Sequence, residues 1–398
     1  MAVAVFWFFS NCGERTTANK EAAMSQYAEA GVDPSKIASF KELMGEVGRK
    51  TRHLAPQRRN VEIISVRNSH GGIWQYAGVY SEQPIWNGTD EILGHLSLIA
   101  EAIYQKTGKS YHDRVARAAG LIIAVDVIAH GGMPFVWLDT VQASSSDWFR
   151  DPVRSQDYAC GCLELCREIG CSLPAGESAA TRYLVRPPEE IAPAGALFSG
   201  FMCGVIHPGS HVIAGDRRPG NRILGIPSTG VHTNGSSLLI AKALAMPQGF
   251  MTEIERGRTF GEEILTPMRS YVQFVEALLN AGVRINEILP GTGDGVAKLG
   301  VDKRPFDYHI ERWVPESEIP LALRYIRDEL GIPRAEYYGT FNAGIGLYLF
   351  VDSQHVGRIQ GISRQFGFPA YNLGRVVAGS RKIHLEFEGG LVLEAPDE

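Results

Sequence analysis

Residues 222–244, RILGIPSTGVHTNGSSLLIAKAL, constrain the fold of this chain more than any other stretch. A short apolar run breaks into a polar turn and then resumes as an apolar segment compatible with a helix, which predicts a strand, a loop and a helix in succession. Gly225, Gly230 and Gly235 allow sharp turns and close approach of the backbone to a ligand. Unpaired N–H groups at a helix start favour a phosphate or carboxylate. The same pattern is also the ordinary joint of an α/β domain, so both interpretations stay open here.

Length and charge limit the possible classes of protein. The chain has 398 residues, 44% hydrophobic and 21% charged, and one hydrophobic core stops growing at roughly 250 to 300 residues, so two domains are predicted. The net charge of -5 comes without a basic stripe, which argues against nucleic acid and membranes as partners. Nothing is apolar over the roughly 20 residues that a membrane span needs, so we expect a cytoplasmic protein. Residues 1–23 are expected to be a disordered or upstream-start extension before Met24.

Four of the six cysteines lie within residues 160–171. Their spacing matches no usual zinc motif, and free cysteine behaves chiefly as a small buried hydrophobe. The segment therefore indicates a helix whose small residues pack inward.

Two aspartates are candidates for a functional or metal-binding site. Asp126 is the single acid in the apolar run 118–128, and a buried acid costs several kcal/mol unless it is paired or binds a metal. Asp90 stands beside a glycine turn, and Mg²⁺ prefers carboxylate oxygens. Asp90 could equally cap a helix over residues 92–104.

Residues 225–238, GIPSTGVHTNGSSL, resemble the G-L-x-S-S-G-P-H-S-N-G-Y-S-L segment of the aminoimidazole ribonucleotide synthase (phosphoribosylformylglycinamidine cyclo-ligase) family. Further resemblances follow in the same order from about residue 24 to residue 379. TFNAGIGL at 340–347 is similar to the family's T-F-N-x-G-I-G-M, and GRVVAG at 374–379 to its G-x-V-V-x-G.

The resemblance implies an α/β (α+β) protein of two domains. An ATP-binding sheet domain over residues 24–213 would pair with a second copy in a homodimer, and an α+β domain over residues 214–398 would close over a cleft. The implied reaction is the ATP-dependent closure of formylglycinamidine ribonucleotide to aminoimidazole ribonucleotide in purine biosynthesis.

The resemblance also implies which residues form the site. The residues implied to hold Mg²⁺ and ATP are Asp90, His95, Asp113, Asp126 and Glu177, with the metal on Asp90 and Asp126. The residues implied to bind the ribonucleotide are Ser228, Thr229, Gly230, Thr233, Asn234, Gly235, Thr340 and Asn342. The residues implied to be catalytic are Asp90, Asp126, His232 and Asn234. Glu177 could instead be a solvated acid in a turn, because acids are mostly exposed.

Four positions depart from the family motifs. His95 stands where the family has lysine, Val125 where it has asparagine, Ala180 where it has glutamate and Ile288 where it has histidine. A histidine supplies a positive charge only when it is protonated. Two alternatives therefore stay open, a sister ATP-using enzyme that acts on another small molecule and a non-catalytic dimeric homologue that binds a ligand.

Overall fold

The computed structural model describes residues 33–64, 72–78 and 83–396. The extension predicted at residues 1–23 lies outside the described residues. Among the residues that the structure describes, every helix is too short or too polar to span a bilayer.

Two helices and a hairpin open the described chain: α1 (Pro34–Thr51), α2 (Leu54–Arg59), β1 (Val61–Ile64) and β2 (Ile73–Tyr76). The side chain of Asp33 accepts a hydrogen bond from the Ser35 N–H at 3.0 Å and caps α1. One face of α1 is buried, as its apolar spacing predicts, through Ile37, Phe40 and Met44.

A four-stranded sheet organises the first half, in the order β3-β6-β4-β5, with only β4 and β5 parallel. Its strands are β3 (Ile85–Ile92), β4 (Met133–Ala143), β5 (Ser172–Ala180) and β6 (Ala196–Ile206). Its helices are α3 (Leu96–Thr107), α4 (His112–Ala129), α5 (Ser146–Arg150) and α6 (Pro152–Ile169).

Helices α4 and α6 pack tightly against each other. A Cβ at Gly161 of α6 would lie 2.4 Å from the Asp113 carbonyl oxygen, so only glycine allows this approach. Cys162 and Cys166 of α6 are fully buried, which confirms the helix predicted for the cysteine-rich segment and the inward packing of these two cysteines.

The second half contains nine strands and six α-helices within the described residues. The strands are β7 (Arg222–Pro227), β8 (Glu253–Glu255), β9 (Arg258–Thr259), β10 (Glu287–Pro290), β11 (Phe306–Ile310), β12 (Ile345–Val351), β13 (Tyr371–Ala378), β14 (Ile383–Leu385) and β15 (Leu391–Leu393). The helices are α7 (Ser236–Leu244), α8 (Phe260–Ile264), α9 (Val272–Asn280), α10 (Leu321–Glu329), α11 (Arg334–Thr340) and α12 (Val356–Gln365). Apart from the β8–β9 hairpin, the strands form one sheet in the order β10-β12-β7-β13-β11-β14-β15.

The strand, loop and helix predicted for residues 222–244 are confirmed as β7, its following loop and α7. The predicted domain boundary at residues 213–214 falls in the connection between β6 and β7, so each large sheet lies within one predicted domain. That each half forms a separate domain stays a prediction.

The two halves meet along α4 and share a continuous hydrophobic core. Arg114 of α4 donates to the Leu265 carbonyl oxygen at 3.3 Å, and Arg117 donates to that of Met268 at 2.8 Å. These two side chains fix the segment between α8 and α9 on the first half.

Asp139 places a carboxyl group inside the core of the first half. It lies on the helix-covered face of β4 and is 3% exposed. Burial raises the pKa of Asp139 to about 7, because the charged form loses its hydration.

We expect Asp139→Asn to gain stability relative to the native protein as the pH rises from about 4 to about 7. An unfolded aspartate ionises near pH 3.9, so in this window the unfolded state has released the proton that the folded state keeps. The free energy of unfolding of the native protein therefore falls as the pH rises through the window. Asparagine does not titrate. Urea unfolding at roughly pH 4 and pH 8 measures the difference, with Asp147→Asn as the exposed control. Equal differences between native and variant at both pH values would contradict the account.

Candidate functional site

The loop after β7 follows an unusual backbone path. His232, Thr233 and Gly235 have φ values of 48°, 68° and 64°, in the left-handed region that only glycine adopts freely. Such backbone persists where its surroundings determine it. Helix α7 begins directly afterwards, and its cap residue Gly235 offers no side-chain acceptor to the N–H groups of the first turn.

The side chain of Asn342 holds this loop in place. Its Oδ1 accepts from the Ser228 hydroxyl and the Gly344 N–H at 2.9 Å each. Its Nδ2 donates to the carbonyl oxygens of Gly230 and Val231 at 3.0 Å each. Asn342 is fully buried and Ser228 is 4% exposed. The side-chain polar atoms of these two predicted substrate residues therefore form hydrogen bonds that hold the loop.

His232 also has a contact within the loop. Its Nε2 accepts from the Thr229 N–H at 3.1 Å, which assigns the ring proton to Nδ1. Burial, with a smaller effect from the charge of Arg269, lowers the pKa of His232 to about 3. The ring is neutral near pH 7, and Nδ1 has no partner in the described structure. The structure gives His232 a loop-anchoring contact, and its catalytic role stays a prediction.

Asn234 links the loop to the second glycine turn, which follows β10. Its Nδ2 donates to the Gly291 carbonyl oxygen at 3.2 Å, while its buried Oδ1 has no partner among the described residues. Thr340 and Phe341 flank Gly235 on the other side. The predicted substrate residues from residues 228–235 and 340–342 thus lie together.

The first half contributes the connection between β3 and α3. The Nδ1 of His95 lies 3.1 Å from the Ser237 hydroxyl, in the first turn of α7. The structure therefore brings a predicted ATP residue to the predicted phosphate-binding helix start.

Asp126 has a carboxylate neighbour that the motif comparison passed over. Its carboxyl group meets that of Glu91, and burial raises the pKa of Asp126 to about 6, with Glu91 adding to the rise and Lys298 opposing it. Successive strand residues point to opposite faces, so Asp90 lies on the other face of β3, where it pairs in register with Phe201. The structure does not bring Asp90 and Asp126 together. Strand alternation was the signal that could have selected Glu91.

The other two predicted ATP residues lie elsewhere. Asp113 and Asp126 stand near opposite ends of α4, about 20 Å apart at 1.5 Å per residue. Glu177 is exposed on β5, three strands from β3 and so about 14 Å away across the sheet. The five residues predicted to hold ATP and metal therefore do not form one site.

Asp113 instead lines a groove of about 480 Å³ between the two halves. Thr229, Arg269 and Phe368 line it from the second half. The Arg269 guanidinium lies 4.7 Å from the centre of the Phe368 ring, and its buried Nε has no partner in the described structure. This groove is at the end of α4 remote from Asp126.

The carboxyl pair Asp126–Glu91 fits what Mg²⁺ needs in a nucleotide site, namely one or two carboxylates supplemented by phosphate oxygens. Among the described residues, no group of three or more histidines, cysteines or acids could hold a metal unaided.

We expect Gly235→Ala to destabilise the protein and Gly230→Ala to leave it nearly unchanged. A Cβ at position 235 would lie 2.5 Å from the Phe341 ring on left-handed backbone, whereas at position 230 its nearest neighbour is Thr266 at 3.4 Å. Strain and overlap together cost about 2 kcal/mol or more. Thermal unfolding of both variants measures this, and similar melting temperatures would show that the loop is not fixed by these contacts.

Comparison with known proteins places this geometry in a family. No protein-family model matches the chain. The phosphoribosylformylglycinamidine cyclo-ligase of Carboxydothermus hydrogenoformans is 30% identical over 316 residues, covering 76% of this chain and 84% of the relative. That of Lachnospira eligens is 27% identical over 378 residues, covering 90% and 99%.

Solved structures agree on the fold. Escherichia coli HypE aligns with a TM-score of 0.58 at 14% identity, covering 91% of this chain and 97% of that one. The hydrogenase maturation protein HypE in complex with ATP aligns with a TM-score of 0.57 at 15% identity, covering 83% and 89%. The fold is thus the two-part α/β arrangement implied by residues 225–238, and the chain belongs to the phosphoribosylformylglycinamidine cyclo-ligase family.

Proposed function

We propose that this protein is an ATP-dependent ligase that converts formylglycinamidine ribonucleotide to aminoimidazole ribonucleotide. One observation carries the proposal: in a chain of this family, His95 of the first half contacts the start of α7, and Asp126, which meets Glu91, lies within reach of the charge of Lys298 after β10 in the second half. Acids for a metal–nucleotide and N–H groups for a phosphate then lie on two sides of one cleft.

On the first side, Asp126 and Glu91 would hold Mg²⁺ with ATP. The bound ion would neutralise phosphate charge and relieve the repulsion between the two carboxylates, which the burial of Asp126 intensifies. The ATP complex of HypE, a protein of the same fold, supports an ATP site in this arrangement.

On the second side, the first turn of α7 would bind the ribonucleotide phosphate. The first N–H groups of a helix have no acceptor within the helix, so those of α7 are available to a ligand, and Thr233 and Ser237 add hydroxyl groups beside them. ATP phosphorylates the formamide oxygen, a nitrogen of the amidine attacks the activated carbon, and phosphate leaves. The protein's contribution is to position the reactants and to balance charge.

The face of the first sheet that carries Ile92 and Phe201 supports a homodimer, in which each N-terminal domain would pair through this face. Its apolar side chains Ile92 and Phe201 are 59% and 37% exposed, and such a patch is typical of an interface. We place this dimer in the cytoplasm.

If the dimer forms there, Phe201→Arg should convert it to monomer, because an unpaired charge would be buried. Sedimentation of the native protein and the variant measures the mass. Leu184→Arg, at an 84% exposed position away from the sheet, is the control. A dimer that survives in Phe201→Arg would place the interface elsewhere.

ADP release with and without formylglycinamidine ribonucleotide tests the proposed reaction. Substrate-dependent ADP release, with aminoimidazole ribonucleotide as product, is expected from purified protein. ATP turnover without this substrate would favour a sister enzyme, and nucleotide binding without turnover would favour a non-catalytic homologue.

Asp126→Asn should lower activity more than about 100-fold, since even partners behind the ligands of a metal cost about 10–100-fold. Asp90→Asn should have the smaller effect, because Asp90 faces away from Asp126. In the native protein, activity should also fall as the pH drops through about 6, where Asp126 gains its proton. Steady-state rates across pH 5 to 8, a range of about one unit or more around that pKa, provide the check. A larger loss in Asp90→Asn would reverse the assignment.

A further inference from the structure

Lys298 follows a turn of the second half whose backbone path is fixed by close contacts. The chain after β10 is left-handed at Gly293, Asp294 and Gly295, with φ values of 64°, 45° and 52°. A Cβ at Gly295 would lie 2.6 Å from the carbonyl oxygens of both Tyr338 and Phe341, so only glycine fits. The short 3-10 helix Gly295–Gly300, which carries Lys298, therefore has a fixed starting point.

The ammonium group of Lys298 is held but not neutralised. Its Nζ donates to the Thr292 carbonyl oxygen at 2.5 Å and lies 3.5 Å from the Thr292 hydroxyl. An ammonium has three N–H donors, so donors remain for another acceptor. Within the described chain, Lys298 hydrogen-bonds to Thr292 alone and forms no contact ion pair, although its side chain is half-buried. An anion bound beside this turn would accept from the remaining donors.

The acid pair of the first half lies opposite this lysine. Helix α4, which carries Asp126, packs against β10, the strand that leads into the turn of Lys298. The charge of Lys298 acts on Asp126, together with the charges of Glu91 and His130, although the two side chains form no direct ion pair. The loop that carries Lys298 is fixed to the α7 loop through Asn234 and Gly291. Lys298 therefore lies in the proposed cleft, between the metal side and the substrate side. A phosphoryl group with its metal would satisfy the lysine and the carboxylates at once.

We propose that Lys298 is a further catalytic residue, whose ammonium group binds the phosphoryl group that ATP transfers, opposite Asp126 and Glu91. The inference rests on the proposed function. In the transfer, the bond between the terminal phosphorus and the ADP oxygen breaks and its electron pair goes to ADP. The formamide oxygen forms the new bond to phosphorus. The ammonium group of Lys298 offsets the charge on the phosphoryl oxygens.

This role also bears on the motif position of His95. The Nδ1 of His95 lies 3.1 Å from the Ser237 hydroxyl. The lysine charge that acts on the acid pair therefore comes from the other half of the chain, through Lys298. Lysine stays charged to about pH 10, whereas the charge of a histidine depends on pH.

The test compares Lys298→Met, Lys298→Arg and the control Lys303→Met, an exposed lysine that follows the same turn. We expect Lys298→Met to lower kcat by about 100-fold or more, as removal of one preorganised donor does. Lys298→Arg should recover part of the loss, and Lys303→Met should match the native protein. Melting temperatures of all variants separate a folding defect from a catalytic one.

Direct titration with Mg²⁺ and a non-hydrolysable ATP analogue provides a second readout. Lys298→Met should bind this probe at least about tenfold more weakly, a change of about 1.4 kcal/mol. If native protein binds the probe but releases no ADP with formylglycinamidine ribonucleotide, the proposed reaction fails while a weakened Lys298→Met still supports the phosphate contact. If the native protein is active and Lys298→Met keeps its kcat and probe affinity, the assignment of Lys298 is overturned. The same holds if Lys298→Met loses activity only through a lowered melting temperature that Lys298→Arg does not restore.

Discussion

The loop after β7, which contains most of the predicted substrate residues, depends on one buried amide. The Asn342 side chain makes four hydrogen bonds, to Ser228, Gly230, Val231 and Gly344, and the first three join the segment before β12 to the loop after β7. Left-handed backbone at His232 and Thr233 costs free energy, and a fully satisfied buried network can hold it. Because this loop ends at the start of α7, the amide sets where the first N–H groups of that helix point.

The packing of the two halves against each other brings the first half next to the loop after β7. Arg114 and Arg117 of α4 hold carbonyl oxygens of the second half, and α4 also carries Asp126 near its other end. One helix therefore positions both the contact between the halves and the acid of the cleft. One departure from the family motifs, His95, lies at this cleft, where its ring contacts Ser237 of α7. Lys298 adds a charge from the opposite side.

The sequence predicted the elements well where pattern and chemistry agreed, as for β7, α7 and the cysteine-rich helix α6. It selected Asp126 on physical grounds, because an acid in an apolar run must be explained. It selected Asp90 and passed over Glu91, because motif matching was followed there and the alternation of side chains along β3, which places the two acids on opposite faces, was not. It grouped Asp113 with Asp126, although the length of a helix separates them. Ser228 and Asn342 matched a binding motif, but only the folded contacts show that they bind each other.

A crystal structure with Mg²⁺ and a non-hydrolysable ATP analogue would test the central claim most directly, namely that the nucleotide lies between the acid pair and the α7 loop. The account predicts a metal ion about 2.0–2.1 Å from a carboxylate oxygen of Asp126 or Glu91, with phosphate oxygens turned towards the second half. A metal bound by Asp90 on the face of the sheet that carries Phe201, with no metal on Asp126 or Glu91, would contradict it.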